Sequence, residues 1–147
     1  MMAASRAPVQ PDSLSSTAPR SFLAFDFGTR RVGVATGNTL LGRAKALRTV
    51  AEVGDARFKT LGALIAEWQP EALVVGVPFH PDGAEHENTV KARRFARQLH
   101  GRFNLPVHEV DERYSTTEAI AEGGTDVDAA SAAIILDQFL RSLEPPP

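Results

Sequence analysis

The chain has 147 residues, a formal charge of −2 and no cysteine, and an isoelectric point of about 6.1. That length predicts one domain, too short for two nucleotide-binding lobes, and the missing cysteine excludes a disulfide framework and thiolate zinc. The charge excludes a globally basic nucleic-acid binder, so any such surface must be local.

Residues 1–20 are rich in Ala, Ser, Pro and Thr without an apolar period and read as a disordered leader. The folded domain is expected over residues 21–143, with 144–147 as a flexible tail. Phe22–Gly28 reads as a strand, joined by the turn Gly28-Thr29-Arg30 to a second strand over Arg31–Thr36. Ala46–Val50 is a plausible third strand. Asp55–Trp68 has helical apolar spacing at Phe58, Leu61, Leu64 or Ile65, and Trp68, and Gln69-Pro70 ends it. Ala72–Pro78 is a continuous apolar run, the pattern of a parallel strand covered on both sides.

A second helix is expected over Asn88–Arg102, with Ala92, Phe95, Ala96, Leu99 and Phe103 as its apolar stripe. Leu105–Glu112 reads as the last strand. Ser115-Thr-Thr-Glu118 has the spacing of a capping box for a short helix ended by Gly123-Gly124. Asp126–Leu143 forms a very apolar terminal helix. The predicted fold is α/β with three layers: a mixed five-stranded sheet, antiparallel in its first three strands and then parallel, flanked by helices.

Three carboxylates stand where carboxylates are costly. Asp26 lies inside an otherwise buried strand, where an unpaired ion loses several kcal/mol of hydration. Glu112 lies at a strand end. Asp128 precedes Ala132, Ile135, Leu136 and Phe139 at helical offsets, on the apolar side of the terminal helix. Asp126 suits the role of helix cap better, and Asp137 falls on the predicted solvent side. Each of the three has a plainer explanation, an arginine partner for Asp26 or Glu112 and a first-turn position for Asp128. Jointly they suit Mg²⁺ or Mn²⁺, hard cations that take oxygen ligands, and a metal-dependent phosphodiester hydrolase. The four histidines lack metal-ligand spacing.

Lys91, Arg94 and Arg97 on the second helix, with Arg30, Arg31 and Arg113 near the acids, form a candidate phosphate track. Its plainer explanation is a solvated helix face. No apolar stretch approaches the roughly 20 residues that span a bilayer, and no secretory signal is evident. No membrane association and a cytoplasmic location are therefore expected.

Four motifs occur in order: Phe25-Asp-Phe-Gly-Thr-Arg-Arg-Val-Gly-Val-Ala35, Val75-Gly-Val-Pro-Phe79 with Asp82-Gly83, Val110-Asp-Glu-Arg-Tyr-Ser-Thr-Thr117, and Asp128-Ala-Ala-Ser-Ala-Ala-Ile-Ile-Leu136. In these the sequence resembles the YqgF/RuvX family of the ribonuclease H-like superfamily. The resemblance implies a metal-dependent nuclease with catalytic and metal-binding acids at Asp26, Glu112 and Asp128. Asp26 would bridge metals, and Arg30, Arg31 or Arg113 would position phosphate. It further implies maturation of the 5′ end of precursor 16S ribosomal RNA, with ribosomal precursor particles as partners, or cutting of four-way DNA junctions as the second substrate class. A monomer or weak homodimer is expected. The chain departs from the family's pattern in two places: Ala121–Val127 lacks a basic segment before the last acid, and Tyr114 stands where Leu is usual.

Two other functions compete. Asp26-Phe-Gly-Thr29 also resembles the first phosphate loop of actin-like and sugar-kinase-like ATP users, but these need a second lobe for which the chain has no room. A non-catalytic nucleic-acid-binding module on the same fold is the other, and retention of all three acids argues against it.

Overall fold

The structure is a computed structural model that describes residues 18–112 and 126–144. The leader up to residue 17, the short helix expected after Ser115, and Arg113 and Tyr114 lie outside the described residues. Five strands form one sheet: β1 (Ser21–Phe27), β2 (Val32–Asn38), β3 (Ala44–Val50), β4 (Ala72–Val77) and β5 (Val107–Asp111). Their order across the sheet is β3-β2-β1-β4-β5. The β1–β2 and β2–β3 pairs are antiparallel, and β1–β4 and β4–β5 are parallel, as expected from the hairpin start and the later apolar runs. Three helices are described: α1 (Gly54–Trp68), α2 (Glu87–Phe103) and α3 (Val127–Ser142).

Strand alternation divides the core in two. Leu23 and Phe25 of β1 turn toward α1 and α2, joining Val75, Phe58, Phe95 and Leu99. Phe22 and Ala24 turn the other way, toward Ile135, Leu136 and Phe139 of α3. Phe22, Phe25, Phe95, Ile135 and Leu136 are all fully buried or nearly so, each worth about 1.5–3 kcal/mol relative to exposure. The next residue in the alternation after Phe22 and Ala24 is Asp26, so the carboxylate falls on the α3 face.

The helix ends carry explicit stop and start chemistry. His86 caps α2, its Nδ1 accepting from the Asn88 amide at 3.0 Å, while the Thr89 hydroxyl accepts from the His86 amide at 3.0 Å. That gives His86 a structural role. Gln69 and Asn104 end α1 and α2 in the left-handed conformation, at φ 48° and 56°, and prolines follow soon after at Pro70 and Pro106.

Two carboxylates fix α3 to the edge of the sheet. Asp126 caps the helix by accepting from the Ala129 amide at 3.1 Å, and the Thr49 hydroxyl on β3 also donates to it. Asp137 accepts from the Ala44 amide at 2.7 Å. It is half-buried rather than on the solvent side. Helical period alone placed it outward, but β3 wraps beside α3 and its first amide needs an acceptor.

Close approach of α3 to β2 depends on Gly33. A Cβ there would fall 1.8 Å from the Asp128 carbonyl oxygen and 2.8 Å from the Ala129 nitrogen, both backbone atoms that no rotamer change can move. Gly33→Ala should therefore cost on the order of 3 kcal/mol or more in denaturant unfolding, by forcing α3 off the sheet. At Gly101 on α2 an added Cβ meets nothing within 4 Å, so Gly101→Ala should be neutral or stabilise by up to about 1 kcal/mol. Equal effects at the two positions would contradict the packing described.

Candidate active site

Asp26 sits at the carboxyl end of β1, the central strand, paired across the sheet with Gly33 on one side and Gly76 on the other. Both neighbours lack side chains, and the space above them is taken by the backbone of Asp128 on one side and by the side chains of Ile135 and Glu112 on the other. Over Gly33 lies the backbone of Asp128 in the first turn of α3. Over Gly76 lies the side chain of Glu112, whose Cγ and Cδ would each be 3.0 Å from an added Cβ. Glu112 directly follows β5, which pairs with β4 through Val77 and Asp111. Three segments distant in sequence thus deliver carboxylates to one place.

The electrostatics follow from that crowding. Burial, then the Asp128 charge, pushes Asp26 from its ordinary 3.8 up to about 6, while a hydrogen bond with Glu112 acts in the opposite sense. Glu112 is pushed from 4.5 up to about 8 by burial, then by the charge of Asp26, its hydrogen bond to Asp26, and the charge of Asp111. The directions describe one proton shared by a buried carboxyl pair, with Glu112 donating to Asp26.

Asp128 is placed differently. Its Oδ2 accepts from Arg31 Nε at 2.9 Å, with about two-thirds of the Arg31 side chain exposed. Arg31 thus partners Asp128, and no arginine among the described residues is paired with Asp26. Among the described residues no three of His, Cys, Asp and Glu close into a metal cage as they stand. The donor chemistry nevertheless suits a hard divalent cation: two desolvated carboxyls held together by a proton, with a third carboxylate close enough to repel Asp26. Asp128 must exchange Arg31 for the cation to complete such a set.

The basic residues are more scattered. Arg30 is exposed in the β1–β2 turn, and Arg97 is exposed on α2. Lys91 forms a 3.0 Å ion pair with Glu87 one helical turn earlier. Lys91 and Arg94 share the wall of a cavity with Arg57. Arg57 carried no weight in the sequence, because one arginine near a helix start looks like any surface cation. Gly33 and Gly76 did leave a signal: a lone glycine within a strand marks close approach by another segment.

The order and directions of the strands, with helices on both faces, define a ribonuclease H-like α/β fold. Consistent with this, Thermus thermophilus RuvC has a TM-score of 0.52 at 14% identity, over 83% of this chain and 95% of that one. T. thermophilus RuvC in complex with a Holliday junction substrate gives 0.51 at 14% identity, over 84% and 94%. Residues 20–142 match the family model RuvX, described as Holliday junction resolvase. The chain belongs to the RuvX family. Proteins named "Putative pre-16S rRNA nuclease" share its sequence at high identity. That of Polaromonas sp. is 65% identical over 124 residues, 84% of this chain and 90% of the relative. That of Paraburkholderia phytofirmans is 54% identical over 138 residues, 89% of this chain and 94% of the relative.

The carboxyl pair makes metal-free stability depend on pH. Both folded values lie above the ordinary ones, so between about pH 4 and pH 8 the native state holds protons that the unfolded chain has released. Stability should be greatest at the acid end of that window and fall as pH rises through it. Thermal melts without metal should drop by about 5 °C or more from pH 5 to pH 8. Millimolar Mg²⁺ should restore the loss mainly at the alkaline end, and Asp26→Asn should flatten the profile. A wild-type profile already flat would contradict the buried pair.

Proposed function

We propose that this protein is a metal-dependent nuclease that hydrolyses phosphodiester bonds in precursor 16S ribosomal RNA, at the 5′ end of the mature sequence. The observation that carries this reading is the convergence of Asp26, Glu112 and Asp128 at the carboxyl end of the central strand, over the two glycines that flank Asp26 in the sheet. The relatives named for pre-16S rRNA point to the substrate.

Asp26 and Glu112 are the groups that would hold Mg²⁺ or Mn²⁺, with Asp128 joining them on release from Arg31. A bound divalent ion supplies neutralisation of the scissile phosphate and activation of the attacking water. The chain's own groups do the positioning. The glycines on either side of Asp26 keep its carboxylate reachable from both flanking segments, and the packing of α3 on β2 sets the height of Asp128 above the sheet. Arg31, freed from Asp128, is well placed to contact a phosphate oxygen.

Among the described residues no helix is long and apolar enough to cross a membrane. A cytoplasmic location, where precursor ribosomal particles are met, belongs to this proposal, as do domain limits near residues 21 and 143 and a monomeric or weakly dimeric state. The family description favours four-way junction DNA as the second substrate.

Cleavage of a precursor 16S 5′ fragment in Mg²⁺, compared with a four-way DNA junction, tests the assignment. Asp26→Asn should lower the rate on the order of a hundredfold or more, about 3 kcal/mol, while still binding RNA. Gly76→Ala should lower the rate by displacing Glu112 and the Ile135 Cδ1, which lies 2.4 Å from the added Cβ. Its stability loss should be smaller than that of Gly33→Ala, because the atoms in its way belong to side chains. Cleavage of the junction alone would replace the RNA assignment with the DNA one, and undiminished cleavage by Asp26→Asn would remove the carboxylate mechanism.

A further inference from the structure

On the face of the sheet opposite the acids, a cavity of about 310 Å³ opens between α1 and α2. Its walls include Phe27, Phe58 and Phe95, and three cations, Arg57, Lys91 and Arg94. Phe27 directly follows Asp26 in β1, and successive strand residues point to opposite faces. The cavity and the carboxylates therefore meet at the same end of the same strand.

Arg57 is the unusual member. Only 6% of it is exposed, yet among the described residues it is paired with no carboxylate. Its Nε donates to the Glu52 carbonyl at 2.9 Å and its Nη2 to the Thr29 carbonyl at 3.1 Å. Those bonds fix the guanidinium in place and tie it to the β1–β2 turn without cancelling its charge. Burial also draws its proton affinity below the ordinary arginine value. The Phe27 ring, 5.7 Å from its Cζ, offsets part of the cost of so little-exposed a cation, and an anionic ligand supplied from outside would relieve the rest.

The rest of the wall agrees. The α1 helix begins at Gly54 without any side-chain cap, and Gly54 itself lines the cavity. No acid lines the cavity, and of the acids next to its lining residues in sequence or one helical turn away, Asp55 is paired with Arg102 at 3.3 Å and Glu87 with Lys91 at 3.0 Å. Arg94 is exposed and has no acidic partner among the described residues. The volume is at the small end for ligand pockets, enough for one nucleotide-sized group.

We propose that this cavity is a phosphate subsite: it takes one phosphate-bearing nucleotide of the nucleic-acid strand, held by Arg57, Arg94 and Lys91 against the phenylalanine wall. The inference rests on the nuclease reading and extends it, since it assigns the strand a course around the end of β1 from the carboxylates to the α1–α2 face. Two sources of the phosphate share this chemistry, an internal phosphodiester and a 5′-terminal monophosphate.

The test uses the full chain carrying Asp26→Asn, so that binding is read without cleavage, with wild-type cleavage followed in parallel. Fluorescence anisotropy is recorded with one RNA oligonucleotide in 5′-phosphorylated and 5′-hydroxyl forms, across a salt series. Arg94→Gln should weaken binding about tenfold, at least several times more than Arg97→Gln, which lies on the same helix outside the cavity wall. Loss on both oligonucleotides identifies an internal phosphate, and loss confined to the phosphorylated one identifies a terminal phosphate; either supports the subsite. Because Arg57 is buried and its replacement endangers folding, it is followed unmutated. Its Nε–H resonance should shift on titration with adenosine 5′-monophosphate, and less so in Lys91→Gln/Arg94→Gln. Equal weakening by Arg94→Gln and Arg97→Gln, with an unmoved Arg57 resonance, would reduce the cavity to an ordinary basic surface and overturn the inference while wild-type cleavage stands. Absence of both RNA binding and cleavage would overturn the nuclease reading and the subsite together.

Discussion

The burial of the Asp26 charge governs how the rest of the molecule is arranged. A carboxylate on the central strand, flanked by strands on both sides, is only partly open to water, and leaving it ionised and alone in so desolvated a position is costly. The fold leaves that cost in place and concentrates it. The glycines flanking Asp26 in the sheet, Gly33 and Gly76, clear the ground on which Asp128 and Glu112 approach. The result is two carboxyls within hydrogen-bonding reach, both pushed toward the protonated form by burial first, and a third near enough to repel Asp26. Such an arrangement should weaken the fold as pH rises, because the folded pair holds protons that the unfolded chain releases.

Acids elsewhere on α3 show that position, and not residue type, sets role. Asp126, Asp128 and Asp137 all lie on or next to one helix. Asp126 and Asp137 are consumed in holding α3 against β3, by accepting from Thr49 and from the Ala44 amide respectively. Asp128, between them, is paired among the described residues with an arginine that is mostly exposed. An exposed ion pair contributes little and is readily exchanged, so Arg31 can release Asp128 at small cost. The two structural aspartates thereby set the height of Asp128 above the sheet.

Much of this was legible in the sequence. The hairpin followed by apolar runs gave the mixed sheet, and the clash between Asp26 and its apolar neighbours singled out the carboxylate that the structure places beside Glu112 and Asp128. Asp126 is the cap that its place before the helical period implied. Single-element patterns were less informative about contacts between elements. Helical period sent Asp137 outward because it knows nothing of β3, whose first amide lies there. The basic track on α2 was drawn from charge alone, and the helix period could not show that Lys91 and Arg94 share a cavity wall with Arg57 while the exposed Arg97 is not among its lining residues. Arg57 was invisible because its burial depends on two carbonyls from separate loops.

The claim that the converging carboxylates exist to share a divalent ion is tested most directly by calorimetric titration with Mn²⁺ near neutral pH, in buffers of different ionisation enthalpy. If the ion displaces the proton held between Asp26 and Glu112, binding should release about one proton, and the release should vanish in Asp26→Asn. Binding without proton release, or binding unaffected by that substitution, would contradict it.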